Sequence, residues 1–188
     1  PVYQLMGGKT RDMARVYYHV FGDTKEKLIQ GGKDAKAAGF TAVGHLTPFL
    51  DESKSVPYFK THAEKIGDAI EAVAAYREAA GTGVDLCIEI HRRLTPTEAI
   101  TLARGIEQYH PLFYEDPILP DNFDAMALVA QNISIPIATG ERLHSIHEFA
   151  MLLEETDEDA AADMITRIDE RLSGAGFVRY ELSSHARP

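Results

Sequence analysis

Cysteine is nearly absent: Cys87 is the only one in 188 residues. A lone thiol excludes an internal disulfide, and a reduced, cytoplasmic chain fits that scarcity. Set in the run "VDLCIEIH", Cys87 reads as a buried strand residue rather than a nucleophile. Long hydrophobic runs are missing too, since no stretch approaches the roughly 20 apolar residues of a membrane helix. The opening "PVYQLMGGKTRD" lacks the basic-then-apolar pattern of a signal peptide. It also does not begin with Met, as expected of a piece cut from a longer chain. Positive charge is in short supply, with 19 Lys and Arg against 29 Asp and Glu and a net charge of −10. Nucleic acid demands a basic face, so the balance argues against such a partner. Phosphate-cradling glycine patterns are absent, and "LMGGK" lacks the spacing of a P-loop.

What is present is the composition of a globular chain, 45% hydrophobic and 26% charged. Short β-rich runs alternate with longer helical ones. "RVYYHV" (15–20), "FTAVGHL" (40–46), "VDLCIEIH" (84–91), "PLFYED" (111–116) and "IPIATGE" (135–141) read as strands. Between and after them lie helical stretches at 23–39, 58–81, 95–109, 122–132 and 145–155. The first is capped by Asp23 or Thr24 and stopped by Gly39, and Gly31-Gly32 weakens it. The third has Thr95 as cap, Pro96 at its first position and Glu98 completing a capping box. Alternation of this kind predicts a parallel sheet with right-handed crossovers. Apolar strands that end in charge suit a (β/α) barrel, whose functional groups sit at the carboxyl ends of its strands. A doubly wound open sheet is the alternative, and it lacks its usual glycine-rich turn. One more strand is expected at Ala161–Arg167, six in all, where a closed barrel needs eight. Residues 1–155 therefore read as barrel βα units and 156–188 as a diverged or truncated continuation of the same barrel.

Glu89, Glu115 and Glu141 each close a predicted strand, and successive members are 26 residues apart. Equal intervals mean one βα unit between neighbours, so three adjacent strands carry one carboxylate each to the same rim. Three anions placed together repel unless a cation lies between them. An all-oxygen set suits a hard ion, and Mg²⁺ fits better than Zn²⁺ because no His or Cys completes a tetrahedral site. Side chains two apart on a strand share a face. By that parity His91 follows Glu89 into the same cavity, placed to donate or accept a proton.

"PVYQLMGGKTRD", "AAGFTAV", "IEIH", "LFYEDP" and "IPIATGER" occur in an order and at intervals that resemble the enolase superfamily, within its mandelate racemase branch. The likeness runs from residue 1 to about 155 and is strongest to acid-sugar dehydratases of the D-galactonate and D-mannonate type. It implies a modified (β/α) barrel, part of a two-domain enzyme whose capping domain helps select substrate and is absent from this chain. It implies Mg²⁺ held by Glu89, Glu115 and Glu141, His91 as the acid of a dehydration, a small sugar-acid substrate and a homo-oligomer in the full-length form. Superfamily sites of this kind pair a His or Lys base with Mg²⁺ that stabilises an ene-diolate.

Several residues depart from the pattern. Glu89 stands where the first ligand is often Asp, one methylene shorter. Asp116 reads as a support to Glu115 or a turn residue before Pro117. "TAVGHLTPF" lacks the Lys-x-Lys pair of racemases, which argues against a two-sided racemase or cycloisomerase. His45 could reach the cavity, with burial or a backbone hydrogen bond as the other reading. Asp163 with His185, or Tyr58 instead, are the candidates for the general base. Arg142 and His144, with His147 beyond, follow the third ligand and could meet an anionic substrate or simply open a surface helix. The resulting expectation is a Mg²⁺-dependent dehydratase that turns a sugar acid into a 2-keto-3-deoxy acid. The alternative is a homologue that retains the metal carboxylates but is catalytically incomplete.

Overall fold

The computed structural model describes residues 2–5, 7–10, 12–50, 60–154, 178–181 and 184–186. In chain order the elements are α1 (Val2–Leu5), β1 (Tyr18–His19), α2 (Lys25–Ala37), β2 (Ala42–Gly44), α3 (His62–Ala80), β3 (Asp85–Glu89), α4 (Pro96–Ile106), β4 (Phe113–Glu115), α5 (Phe123–Gln131), β5 (Ile137–Ala138), α6 (Ile146–Glu154), β6 (Val178–Glu181) and β7 (Ser184–Ala186). They fall into two compact units, Val16–Thr139 and the combination of Pro1–Arg15 with Gly140–Pro188.

The first unit holds β1 to β5 as one parallel sheet in sequential order. Parity sorts its side chains. Val43, Leu86, Ile88 and Tyr114 are buried against Leu28 and Ala35 of α2, Val73 and Tyr76 of α3, and Leu102 and Ile106 of α4. Burying apolar area of this kind stabilises by about 25 cal/mol per Å², and here it pins the helices to one face. The other face carries Cys87 and Glu89 on β3, Phe113 and Glu115 on β4, and, just before β1, Tyr17. The rings of Tyr17 and Phe113 meet edge-on at 6.0 Å. Strands lie about 4.8 Å apart, so a flat sheet would hold β1 and β4 about 14 Å apart. The sheet is curled with this face inside, as in a barrel wall.

The local chemistry of the sequence explains the element ends. Thr24 caps α2 through its side chain, and Thr95 and Glu98 close the expected capping box on α4, with a second at Thr61 and Glu64 on α3. Glu98 also accepts from Lys65 at 2.9 Å, tying α4 to α3. The helix at 23–39 survives its glycine pair for a packing reason: a Cβ on Gly31 would lie 2.4 Å from Val20 Cγ1, so the glycine lets α2 settle onto the sheet. Cys87 is fully buried, as its strand setting predicts.

The second unit contains α1, α6 and the antiparallel pair β6–β7. The hairpin was not anticipated, because those residues show no clear period. The strand expected at 161–167 lies outside the described residues. Among those described, no helix is long and apolar enough to cross a membrane.

Candidate active site at the strand ends

Glu89 is the last residue of β3 and Glu115 the last of β4, and the parallel register sets them directly side by side. Glu89 is buried at 6% exposure. Burial comes first in pushing its carboxyl up to about 8, followed by the neighbouring charge of Glu115. A hydrogen bond with Glu115 favours the protonated form further and Asp116 adds its charge, against the opposing backbone N–H of His91. Full ionisation of both carboxyl groups is disfavoured in such a setting, because each negative charge opposes the other. A hard divalent cation is what replaces such a proton, and the donor set fits one.

His91 meets Glu89 by a different route from the one strand parity suggests. β3 ends at Glu89, and His91 and Arg92 both take left-handed backbone conformations, at φ 57° and 64°. Parity therefore does not extend to His91. The turn instead folds the chain back, so that the His91 backbone N–H donates to Glu89 Oε1 at 2.6 Å and Nδ1 stands 3.8 Å from the same oxygen. The imidazole is half-exposed above the buried carboxylate.

Asp116 explains how that turn is held. It is buried, it too is left-handed at φ 41°, and its carboxylate accepts from Arg92 Nη1 at 2.7 Å and from Thr139 Oγ1 at 2.8 Å. The Arg92 N–H donates to the Asp116 carbonyl, and the Asp116 N–H donates to the Ala138 carbonyl. One side chain thus ties together the ends of β3, β4 and β5. Asp116 takes the turn position expected of it before Pro117, and its side chain serves Arg92 and Thr139 rather than Glu115. Arg92 was not singled out from the sequence, since nothing there marks a non-glycine left-handed turn.

The remaining candidates are placed as follows. Glu141 lies in the second unit, half-exposed, with its Oε1 3.3 Å from Arg142 Nε. Among the described residues no group of three or more His, Cys, Asp or Glu side chains is gathered as a metal site. The His144 backbone N–H donates to Glu148, which also closes the cap of α6 with Ser145. His144 and His147 are exposed at the start of that helix. His45, left-handed at φ 59° and half-buried, contacts the rings of His19 at 4.4 Å and His91 at 6.3 Å. His19 was overlooked, although the alternation in "RVYYHV" that faces it inward with Tyr17 was legible. Asp163 and Tyr58 lie outside the described residues. His185 sits on β7, opposite Arg179 in the register.

Comparison with known proteins follows the same lines. The enolase C-terminal domain-like family model matches residues 35–168. D-galactonate dehydratase from Ralstonia nicotianae is 36% identical over 82% of this chain and 39% of its own length. The same-named protein from Xanthomonas euvesicatoria is 35% identical over 81% of this chain and 38% of its own. Among solved structures, a mandelate racemase/muconate lactonizing enzyme from Sulfitobacter sp has a TM-score of 0.70 and 32% identity, covering 82% of this chain and 41% of that one. A mandelate racemase/muconate lactonizing enzyme-like protein from Rubrobacter xylanophilus reaches a TM-score of 0.74 at 26% identity, covering 92% of this chain and 52% of that one. The chain thus spans about two fifths of the length of the curated relatives it matches. Within that span it belongs to the enolase C-terminal domain-like family, in the mandelate racemase branch of the enolase superfamily.

Proposed function

We propose that this chain carries the barrel chemistry of a sugar-acid dehydratase that works with Mg²⁺. The observation that carries the reading is the side-by-side Glu89–Glu115 pair, with Glu89 buried and His91 Nδ1 3.8 Å from its Oε1. Curated relatives named D-galactonate dehydratase support the substrate class. Glu89 and Glu115 would hold the cation, with Glu141 as the third carboxylate by the 26-residue recurrence. Bound there, Mg²⁺ would supply positive charge to a substrate carboxylate and so acidify the proton on the adjacent carbon.

The work left to the chain's own residues is proton traffic. Loss of water breaks the C–H bond beside the carboxylate and the C–O bond one carbon further on. Hydroxide is a poor leaving group, so a positioned acid must deliver a proton to it. His91, placed beside Glu89, is the group assigned to deliver that proton, and the departing group leaves as water. The enol that remains tautomerises to a 2-keto-3-deoxy acid. Asp163 with His185, or Tyr58, is the proposed source of the base.

A metal-binding homologue without turnover is the second reading. Incubating the chain with Mg²⁺ and a panel of aldonic acids decides between them. Accumulation of a 2-keto-3-deoxy acid supports the dehydratase. Mg²⁺ binding with no product from any acid supports the silent homologue.

A further inference from the structure

The backbone leaving β3 is built in an unusual way. In a regular parallel ladder the hydrogen bonds are evenly spaced and the two strands advance together. β3 and β4 keep that step as far as Glu89 beside Glu115. Beyond this point it breaks. The N–H groups of Ile90, Arg92 and Leu94 donate to the carbonyls of Glu115, Asp116 and Pro117 at 3.0, 2.7 and 3.3 Å. The chain after β3 therefore uses two residues for each one after β4, as in a bulge repeated at every step. Bulges re-aim side chains and gather beside active sites. His91 is the residue left over between the first two of these bonds. Its N–H turns to Glu89 Oε1 at 2.6 Å, and its ring stands above the same carboxylate.

Three left-handed residues make the arrangement possible: His91, Arg92 and Asp116, none of them glycine. Such conformations are costly for residues with a Cβ and persist only where their surroundings enforce them. Here the enforcement is a latch across the strand ends. Arg92 is tied to Asp116 twice, by its backbone N–H to the carbonyl and by Nη1 to Oδ2, each at 2.7 Å. The other carboxylate oxygen, Oδ1, accepts from Thr139 Oγ1 at 2.8 Å. Both side chains of the ion pair are nearly out of water, so salt and solvent screen it weakly.

The latch has a specific alternative. Without it, His91 and Arg92 would relax towards the extended backbone that ordinary residues prefer. The His91 N–H would then leave Glu89, and the imidazole would move with it. The carboxylates of Glu89 and Glu115 sit on regular strand and depend on the latch far less. Loosening it should thus displace one functional group and spare the others.

We propose that Arg92, Asp116 and Thr139 are positioning residues for the acid, and that they act by holding the bulged turn that sets His91 over Glu89. This rests on the dehydratase reading, to which it adds the residues that fix where the acid stands. In this assignment the three side chains work through His91 and none of them meets the reacting atoms.

The test uses the whole 188-residue chain, with Mg²⁺ and the panel of aldonic acids for the kinetic arm. Arg92→Gln and Asp116→Asn should lower kcat for dehydration by about 10–100-fold, the scale of a reacting group displaced by about 1 Å. KM should stay near its wild-type value. Exchange of the α-proton with solvent deuterium should fall far less, whereas simple loss of fold would lower both together. Arg92→Lys keeps a positive charge for Asp116 and should recover part of kcat. A second arm needs neither turnover nor metal. The His91 backbone amide proton, held in a 2.6 Å hydrogen bond, should resonate far downfield and move upfield in the variants. Should Arg92→Gln or Asp116→Asn fail to fold, Thr139→Val removes a single hydrogen bond from Asp116 and should move both readouts the same way by less. Dehydration and exchange that fall in equal proportion, or a His91 amide unmoved in every folded variant, would overturn the positioning role and leave the dehydratase reading standing. Wild-type chain that yields no 2-keto-3-deoxy acid from any acid of the panel would remove both.

Discussion

Glu89 and Glu115 stand opposite one another at the ends of β3 and β4, and burial first, then the charge of Glu115, raises the pKa of Glu89 and favours a proton on it. If that proton is a placeholder for a cation, Mg²⁺ affinity depends on both groups. Glu115→Gln is expected to lower it by about tenfold or more, because charge count tunes affinity for hard ions. Glu141→Gln should do the same if the third carboxylate joins them. Calorimetric titration reads both, and unchanged affinity in Glu115→Gln would reject the pair as ligands.

The same proton fixes a pH dependence. With its pKa at about 8, Glu89 keeps a proton in the folded chain that an unfolded glutamate, with a pKa near 4.3, has already lost. Stability from this group is therefore fully present below about pH 4.3 and is lost as pH rises towards 8. Urea midpoints of the metal-free chain should fall across that window once the slope of Glu89→Gln is subtracted. Saturating Mg²⁺ should flatten the difference, with protons released on binding.

His91→Asn should cut dehydration by on the order of 10²–10⁴, the usual contribution of a positioned acid. Exchange of the substrate's α-proton with solvent deuterium separates the roles. If His91 is only the acid, slow exchange survives in the variant. Dehydration at the wild-type rate would return His91 to a structural role.

Arg92 and Asp116 make the most consequential ion pair in the described structure, at 2.7 Å and nearly out of water. Removing one partner strands the other charge. Arg92→Met is expected to cost about 3–5 kcal/mol, read as a lowered urea midpoint. A shift below about 1 kcal/mol would mean that Asp116 finds another partner or a proton.

Much of this was legible in the residues. The recurrence of Glu89 and Glu115 located two strand ends, because a βα unit has a nearly fixed length, and Thr95 with Glu98 announced the start of α4 through the chemistry of orphan N–H groups. Strand lengths were read too generously: "IPIATGE" yields only Ile137–Ala138 as β5, because alternation continues into turns that no longer pair. Parity failed at His91 for a related reason. Left-handed turns at His45, His91, Arg92 and Asp116 carry no glycine to announce them, and those at Arg92 and Asp116 are held by hydrogen bonds between strand ends. β6 and β7 pair without a hydrophobic period, so their register has no signature in the chain.

The ring of Tyr17 above Gly44 has a stereochemical consequence. The inward positions of β2 are Ala42 and Gly44, and the second is roofed by an aromatic ring, so this strand offers no titratable group from inside the curve of the sheet. Any base on this side must therefore come from beyond the end of the strand, and a base delivered from one side acts on one hand of the reacting carbon, so the mirror configuration at that centre would bind as an inhibitor rather than turn over.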